Sequence, residues 1–151
     1  HACPYCYARP SHSYIGLSPG LDFETKLFYK LDAARLLEKE FSAPRYQCST
    51  IMLGANTDPY QPLEKTQRVT RSILEVLLKY KHPVAITTKG ALIARDVDVL
   101  SALARDNLVS VMFSIPTLDN DMKRILEPRA SSAAAKLTNF SGRRSSWHSL
   151  P

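Results

Sequence analysis

Pro83-Val84-Ala85-Ile86-Thr87-Thr88-Lys89-Gly90 is a short apolar run, β-branched at Val84, Ile86, Thr87 and Thr88, that stops at a cation and a glycine. It reads as a buried strand closed by a functional loop. A second run of the same kind, Ser49-Thr50-Ile51-Met52-Leu53-Gly54, lies upstream and ends at Ala55-Asn56-Thr57-Asp58-Pro59. Between the two, the spacing predicts a helix over 63–80, with Val69, Ile73, Val76, Leu77 and Tyr80 on one side and Arg68, Arg71, Glu75 and Lys79 on the wet side. Glu75 and Lys79 stand in the favourable order for an i,i+4 pair. Downstream, Ile93, Val97, Leu100 and Ala104 give the next helix its core face, and Leu108–Ile115 is a third strand. Strand and amphipathic helix alternate with short connections, so the fold class is α/β, with a parallel sheet or barrel. The near-continuous apolarity of the strands predicts helices over both faces, or around the outside of a barrel.

The flanks are less regular. Gly16, Pro19 and Gly20 predict an irregular stretch over 11–22. The alternation in Glu24–Lys30 predicts a half-buried strand. Asp32 is the expected N-cap of a helix running through Phe41, with Ala34, Leu37 and Phe41 on one face. From Leu137 no helical or strand period is present, and residues 137–151 read as an irregular tail, either a frayed terminus or a cut or out-of-frame reading. The expected organisation is one domain over 1–136 followed by that tail.

A chain of 151 residues that is 44% hydrophobic buries one sizeable core, which argues against disorder. No apolar run approaches the length that spans a bilayer, and the first residues lack the pattern of a secretory signal, so a soluble, cytoplasmic protein without membrane contact is expected. Three cysteines are an odd count that suits a reducing compartment. Twenty basic residues against fourteen acidic ones give a net charge of +6, without long single-sign blocks; this is a solvated surface that also favours an anionic partner.

Polar residues gather where the strands end, at Thr57 and Asp58, at Thr88 and Lys89, and at Ser114. In parallel α/β folds those loops hold the ligand. The other concentration of chemistry is His1-Ala2-Cys3-Pro4-Tyr5-Cys6-Tyr7-Ala8-Arg9-Pro10. A Cys-x-x-Cys pair on such a loop brings two sulfurs within reach of one centre, and thiolates select zinc, copper(I) or iron-sulfur clusters. On its residues alone the pair is half a zinc site, a redox dithiol or a disulfide. A zinc-binding or nucleic-acid-binding module using Cys3, Cys6, His12 and Cys48 is the reading from a different class, although zinc sites favour closer spacing. Cys48, just before a strand, reads as structural.

The cysteine loop, together with Thr57-Asp58-Pro59-Tyr60-Gln61-Pro62-Leu63-Glu64, Thr87-Thr88-Lys89-Gly90 and Glu127-Pro128-Arg129-Ala130, resembles the radical S-adenosylmethionine (SAM) superfamily, in the group related to spore photoproduct lyase. That family writes Cys-x-x-x-Cys-x-aromatic-Cys followed by Tyr-Ala-Arg. Cys3 and Cys6 match its second and third cysteines, Tyr5 the aromatic residue and His1 an interior histidine. The resemblance runs over residues 1–136. It departs from the pattern in lacking the first cysteine, four positions before Cys3 and upstream of His1, and the later barrel strands.

The resemblance implies a partial (β/α) barrel, incomplete in this chain, and an enzyme in which three cysteines hold a 4Fe-4S cluster. SAM binds the remaining iron and is cleaved by an electron from a donor, giving a 5′-deoxyadenosyl radical that acts on a substrate, with nucleic acid the suggested class. It places Cys3 and Cys6 on the metal, Tyr5 beside the adenine, Thr57, Asp58 and Ser114 among the cofactor-binding residues, and Lys89 on the SAM carboxylate, a task suited to a point charge on a long stem. Glu127 and Arg129 match a motif to which it gives no role. With two cysteines and an unpaired sheet edge, the chain as it stands is expected not to sustain SAM cleavage.

Overall fold

A computed structural model describes residues 3–141 of the chain. Its centre is a parallel three-stranded sheet in the order β1 (Ile51–Leu53), β2 (Val84–Thr88), β3 (Val109–Phe113). Ile51 pairs with Val84, which pairs in turn with Val109. Parallel neighbours need crossovers. The first is made by α3 (Glu64–Gln67) and α4 (Val69–Lys79), the second by a 3-10 helix over Ala91–Asp96 that runs into α5 (Val97–Arg105).

The two faces of the sheet differ. Ile51, Leu53, Val84, Ile86, Val109, Val111 and Phe113 point to one side and pack with Leu74 and Leu77 of α4 and Leu100 and Leu103 of α5. Side chains alternate along a strand, so Met52, Ala85, Ser110 and Met112 face the other way. Met52 and Met112 are more than half exposed. Of the two arrangements expected from the apolar runs, helices over both faces or on one side only, the described residues show the second. Only β2 is flanked on both sides, and β1 and β3 are edges among the described residues.

The N-terminal part wraps one end of this unit. A 3-10 helix over Arg9–Ile15 occupies part of the stretch expected to be irregular, and α1 (Leu21–Thr25) follows it. The strand expected over 24–30 is absent. The backbone N–H of Lys26 donates to the Asp22 carbonyl, and the Lys26 carbonyl is bonded to His12 Nε2 at 3.0 Å, so the groups a ladder would use are taken locally. α2 (Ala33–Phe41) forms as expected and sends Leu37 and Phe41 to the core. Asp32 stands at its N-cap position but pairs with Arg35 and makes no capping bond.

The helix expected over 63–80 is interrupted at Arg68, whose φ is 51°. The cause is Glu64. Its buried carboxylate accepts from the N–H groups of Thr70, at 3.0 Å, and Arg71, at 3.3 Å, and so caps α4 from the first residue of α3. It also receives Arg95 at 2.8 Å. On the wet face Glu75 is held by Arg71, and Lys79 pairs with Glu38 of α2, so the expected Glu75–Lys79 pair does not form. Past β3 come α6 (Asn120–Leu126), capped by the Asp119 side chain, and α7 (Ala133–Ser141). α7 carries helix past the boundary expected at 136; residues 142–151 and His1 lie outside the described residues. Among the described residues no helix is long and apolar enough to cross a membrane.

Candidate functional site

The carboxyl ends of the strands open on a cavity of about 940 Å³. Cys3, Tyr5, Cys6, Thr57, Asp58, Lys89 and Ser114 all line it. The expected site residues come from widely separated stretches of sequence, and the fold brings every one of them to the same cavity.

Each is set by local backbone chemistry. The Cys-x-x-Cys loop is a turn closed by Cys6 N–H on the Cys3 carbonyl at 3.1 Å, and Arg9 Nε fixes it by donating to the same carbonyl at 3.0 Å. Both sulfurs are free thiols; Cys3 is buried and Cys6 partly so. Burial pushes the Cys3 thiol up, with Lys89 pulling the other way. Cys48 is exposed and does not line the cavity, so it is neither a core residue nor part of the site.

Asp58 is the tie between the first two strand ends. Its carboxylate accepts from the Tyr60 N–H at 2.8 Å, the Thr88 hydroxyl at 2.7 Å and the Lys89 N–H at 2.7 Å. The third strand end is tied in by Ser114, whose N–H donates to the Thr88 carbonyl at 3.0 Å. Its own carbonyl accepts from Lys136 Nζ at 3.0 Å. Leu17, Phe23, Leu27 and Phe28 supply apolar lining to the same cavity. His12 stands between Phe23 and Phe28, edge-on to both rings.

The polar wall converges on Glu127, a residue whose role the motif left open. Its side chain has no exposure. Glu127 Oε1 accepts from Tyr5 Oη at 2.5 Å and pairs with Lys89 Nζ, while Lys89 Nζ also donates to Tyr5 Oη at 2.9 Å. Lys136 Nζ lies 3.8 Å from Oε2. Burial opposes ionisation of both partners in this group. The contacts outweigh it, lowering the Glu127 carboxyl through Lys89 and Tyr5 and raising the Lys89 ammonium through Glu127 and Tyr5. The Glu127 contacts were beyond reach of the sequence because Tyr5 is 122 residues away and Lys89 is 38. The signal available in the sequence was its place in Glu127-Pro128-Arg129-Ala130, a motif that carried no role.

The donor set fits a thiolate-bound centre as far as Cys3 and Cys6 go, since both face the cavity beside a cation. The alternative zinc set does not come together. His12 Nε2 is engaged by the Lys26 carbonyl, Cys48 lies elsewhere, and the described residues contain no group of three or more His, Cys, Asp or Glu side chains arranged to hold a metal ion.

Comparison with known proteins returns relatives named only as uncharacterized. One from Mycobacterium tuberculosis is 36% identical over 137 residues, 91% of this chain and 40% of its own length. One from Acidianus two-tailed virus is 30% identical over 141 residues, covering 46% of that protein, and one from Methanocaldococcus jannaschii is 25% identical over 128 residues, covering 45%. The chain thus spans less than half the length of these relatives. No protein-family profile matches it, and no solved structure does.

Proposed function

We propose that this chain is part of a radical SAM enzyme, in which the cavity at the strand ends holds a 4Fe-4S cluster and SAM, and the three strands belong to a (β/α) barrel. One observation carries the reading: Cys3, Cys6, Tyr5, Thr57, Asp58, Lys89 and Ser114, expected at the site from separate motifs, line one cavity. Cys3 and Cys6 would supply two thiolates, with the third at the position four before Cys3. When bound, cluster and SAM supply one-electron reductive cleavage of the sulfonium, the electron coming from a separate donor, and hydrogen abstraction from a substrate for which the basic balance favours nucleic acid.

The rest is the work of the chain's own residues. Lys89 carries three N–H groups; two are engaged by Glu127 and Tyr5, and the third would serve a ligand carboxylate. Thr57 and Ser114 offer polar groups along the same wall. Asp58 contributes by holding the loops after β1 and β2 together. Leu17, Phe23, Leu27 and Phe28 add apolar surface to the lining.

The test is anaerobic reconstitution with iron and sulfide of a polypeptide extended upstream through the position four before Cys3. Iron analysis and Mössbauer spectra are expected to report a 4Fe-4S cluster that is lost in Cys3→Ala and Cys6→Ala and kept in Cys48→Ala. Zinc in place of iron, or equal iron in all three variants, would overturn the reading.

A further inference from the structure

We infer that Glu127 is a positioning residue of the cavity: it orients the Lys89 ammonium and, through Tyr5, fixes the cysteine loop against the end of β2. The argument begins with burial. A carboxylate withdrawn completely from water is costly to keep charged and is retained only where cations and hydrogen bonds compensate it. Glu127 meets that cost with groups that belong to the cavity wall. A single oxygen, Oε1, takes the Tyr5 hydroxyl and the Lys89 ammonium together, and these two are bonded to each other, closing a triangle.

Two geometrical consequences follow. The Lys89 ammonium is held at the Tyr5 hydroxyl, 2.9 Å from Oη, and by Glu127 Oε1 at once, so a long flexible side chain is presented in one position. Tyr5 stands between Cys3 and Cys6, so the same triangle anchors the loop bearing both sulfurs to the segment after α6. A carboxamide at position 127 could still accept from Tyr5, but it would leave Lys89 and Lys136 without their counter-charge.

The first arm of the test is independent of any ligand. Nitrogen-detected NMR of the lysine ammonium groups is expected to give a slowly exchanging Lys89 signal, absent in Lys89→Ala. In Glu127→Gln exchange should be accelerated about ten- to hundredfold, the range for a lost charge-assisted bond. Glu127→Asp keeps the charge but is shorter by one methylene and should fall between the two. It also decides the matter if Glu127→Gln does not fold. Unchanged Lys89 exchange in the folded variants would overturn the inference.

The second arm rests on the reading of the cavity as a SAM site. SAM affinity of the reconstituted protein should fall about ten- to hundredfold in Glu127→Gln. The double variant Glu127→Gln/Lys89→Ala should bind no more weakly than Lys89→Ala alone, because Glu127 acts through Lys89. Additive losses would overturn the inference while leaving the site reading intact. Absence of SAM binding in the wild type would remove the site reading and leave the NMR arm to decide.

Discussion

Gly54 is where the chain leaves β1 for the cavity, and it does so with a φ of 96°. A Cβ built there would lie 2.1 Å from the Thr87 carbonyl oxygen, a backbone atom of the neighbouring strand that cannot move aside. Gly54→Ala is therefore expected to destabilise the protein by at least about 1–3 kcal/mol from backbone strain alone, read as a lower urea midpoint. Equal midpoints would mean the close approach is not required. At this scale the sequence was informative wherever chemistry and position coincide. Lys89 and Ser114 follow apolar strands, and strand ends are where parallel sheets place ligands. Asp58 was legible as a site residue but not in its task, because its partners Thr88 and Lys89 arrive from a different strand. Glu127 was less legible still, since a buried charge makes sense only with its cations in view.

Elements were legible where burial has one period and obscured where a side chain intervenes. The strands around Met52, Ile86 and Val111 and the helix after Asp32 follow from apolar spacing. The break at Arg68 does not, because it is made by a carboxylate on α3 that caps α4, and periodicity is blind to capping from another element. Glu24–Lys30 misled for the opposite reason. It alternates like a strand, yet His12 and the Asp22 turn take up its backbone at Lys26, and no neighbouring strand is offered. Leu74 marks a further limit. The expected stripe ran through Val69, Ile73, Val76, Leu77 and Tyr80; Leu77 is fully buried as expected, but so is Leu74, which the stripe left out, a rotation of the buried face toward the sheet on which the helix lies.

On the scale of the molecule, charge ties the wall, the wrap and the crossovers together, which gives stability a pH dependence. Glu127 is held below its ordinary 4.5 by Lys89 and Tyr5 against its burial, Glu24 is lowered by Arg9, and Asp98 is brought to about 2 by Arg71. A carboxyl lowered on folding contributes stability above its unfolded value and loses it as pH falls through the folded one. The midpoint of thermal unfolding is thus expected to fall steadily from pH 5 toward pH 2, with Glu127 contributing most because the Arg71–Asp98 and Arg9–Glu24 pairs are open to solvent screening. A flat profile across that interval would show these pairs to be energetically idle. Fold and chemistry meet at Lys89, the cation that the strand end, the cysteine loop and Glu127 all address. The most direct measurement is an anaerobic SAM titration of the reconstituted, upstream-extended protein and its Lys89→Ala variant, with circular dichroism to confirm that both are folded. The account predicts weaker binding in the variant by about 1.5–3 kcal/mol, the worth of a charge-assisted contact; equal affinities in two folded proteins would contradict it.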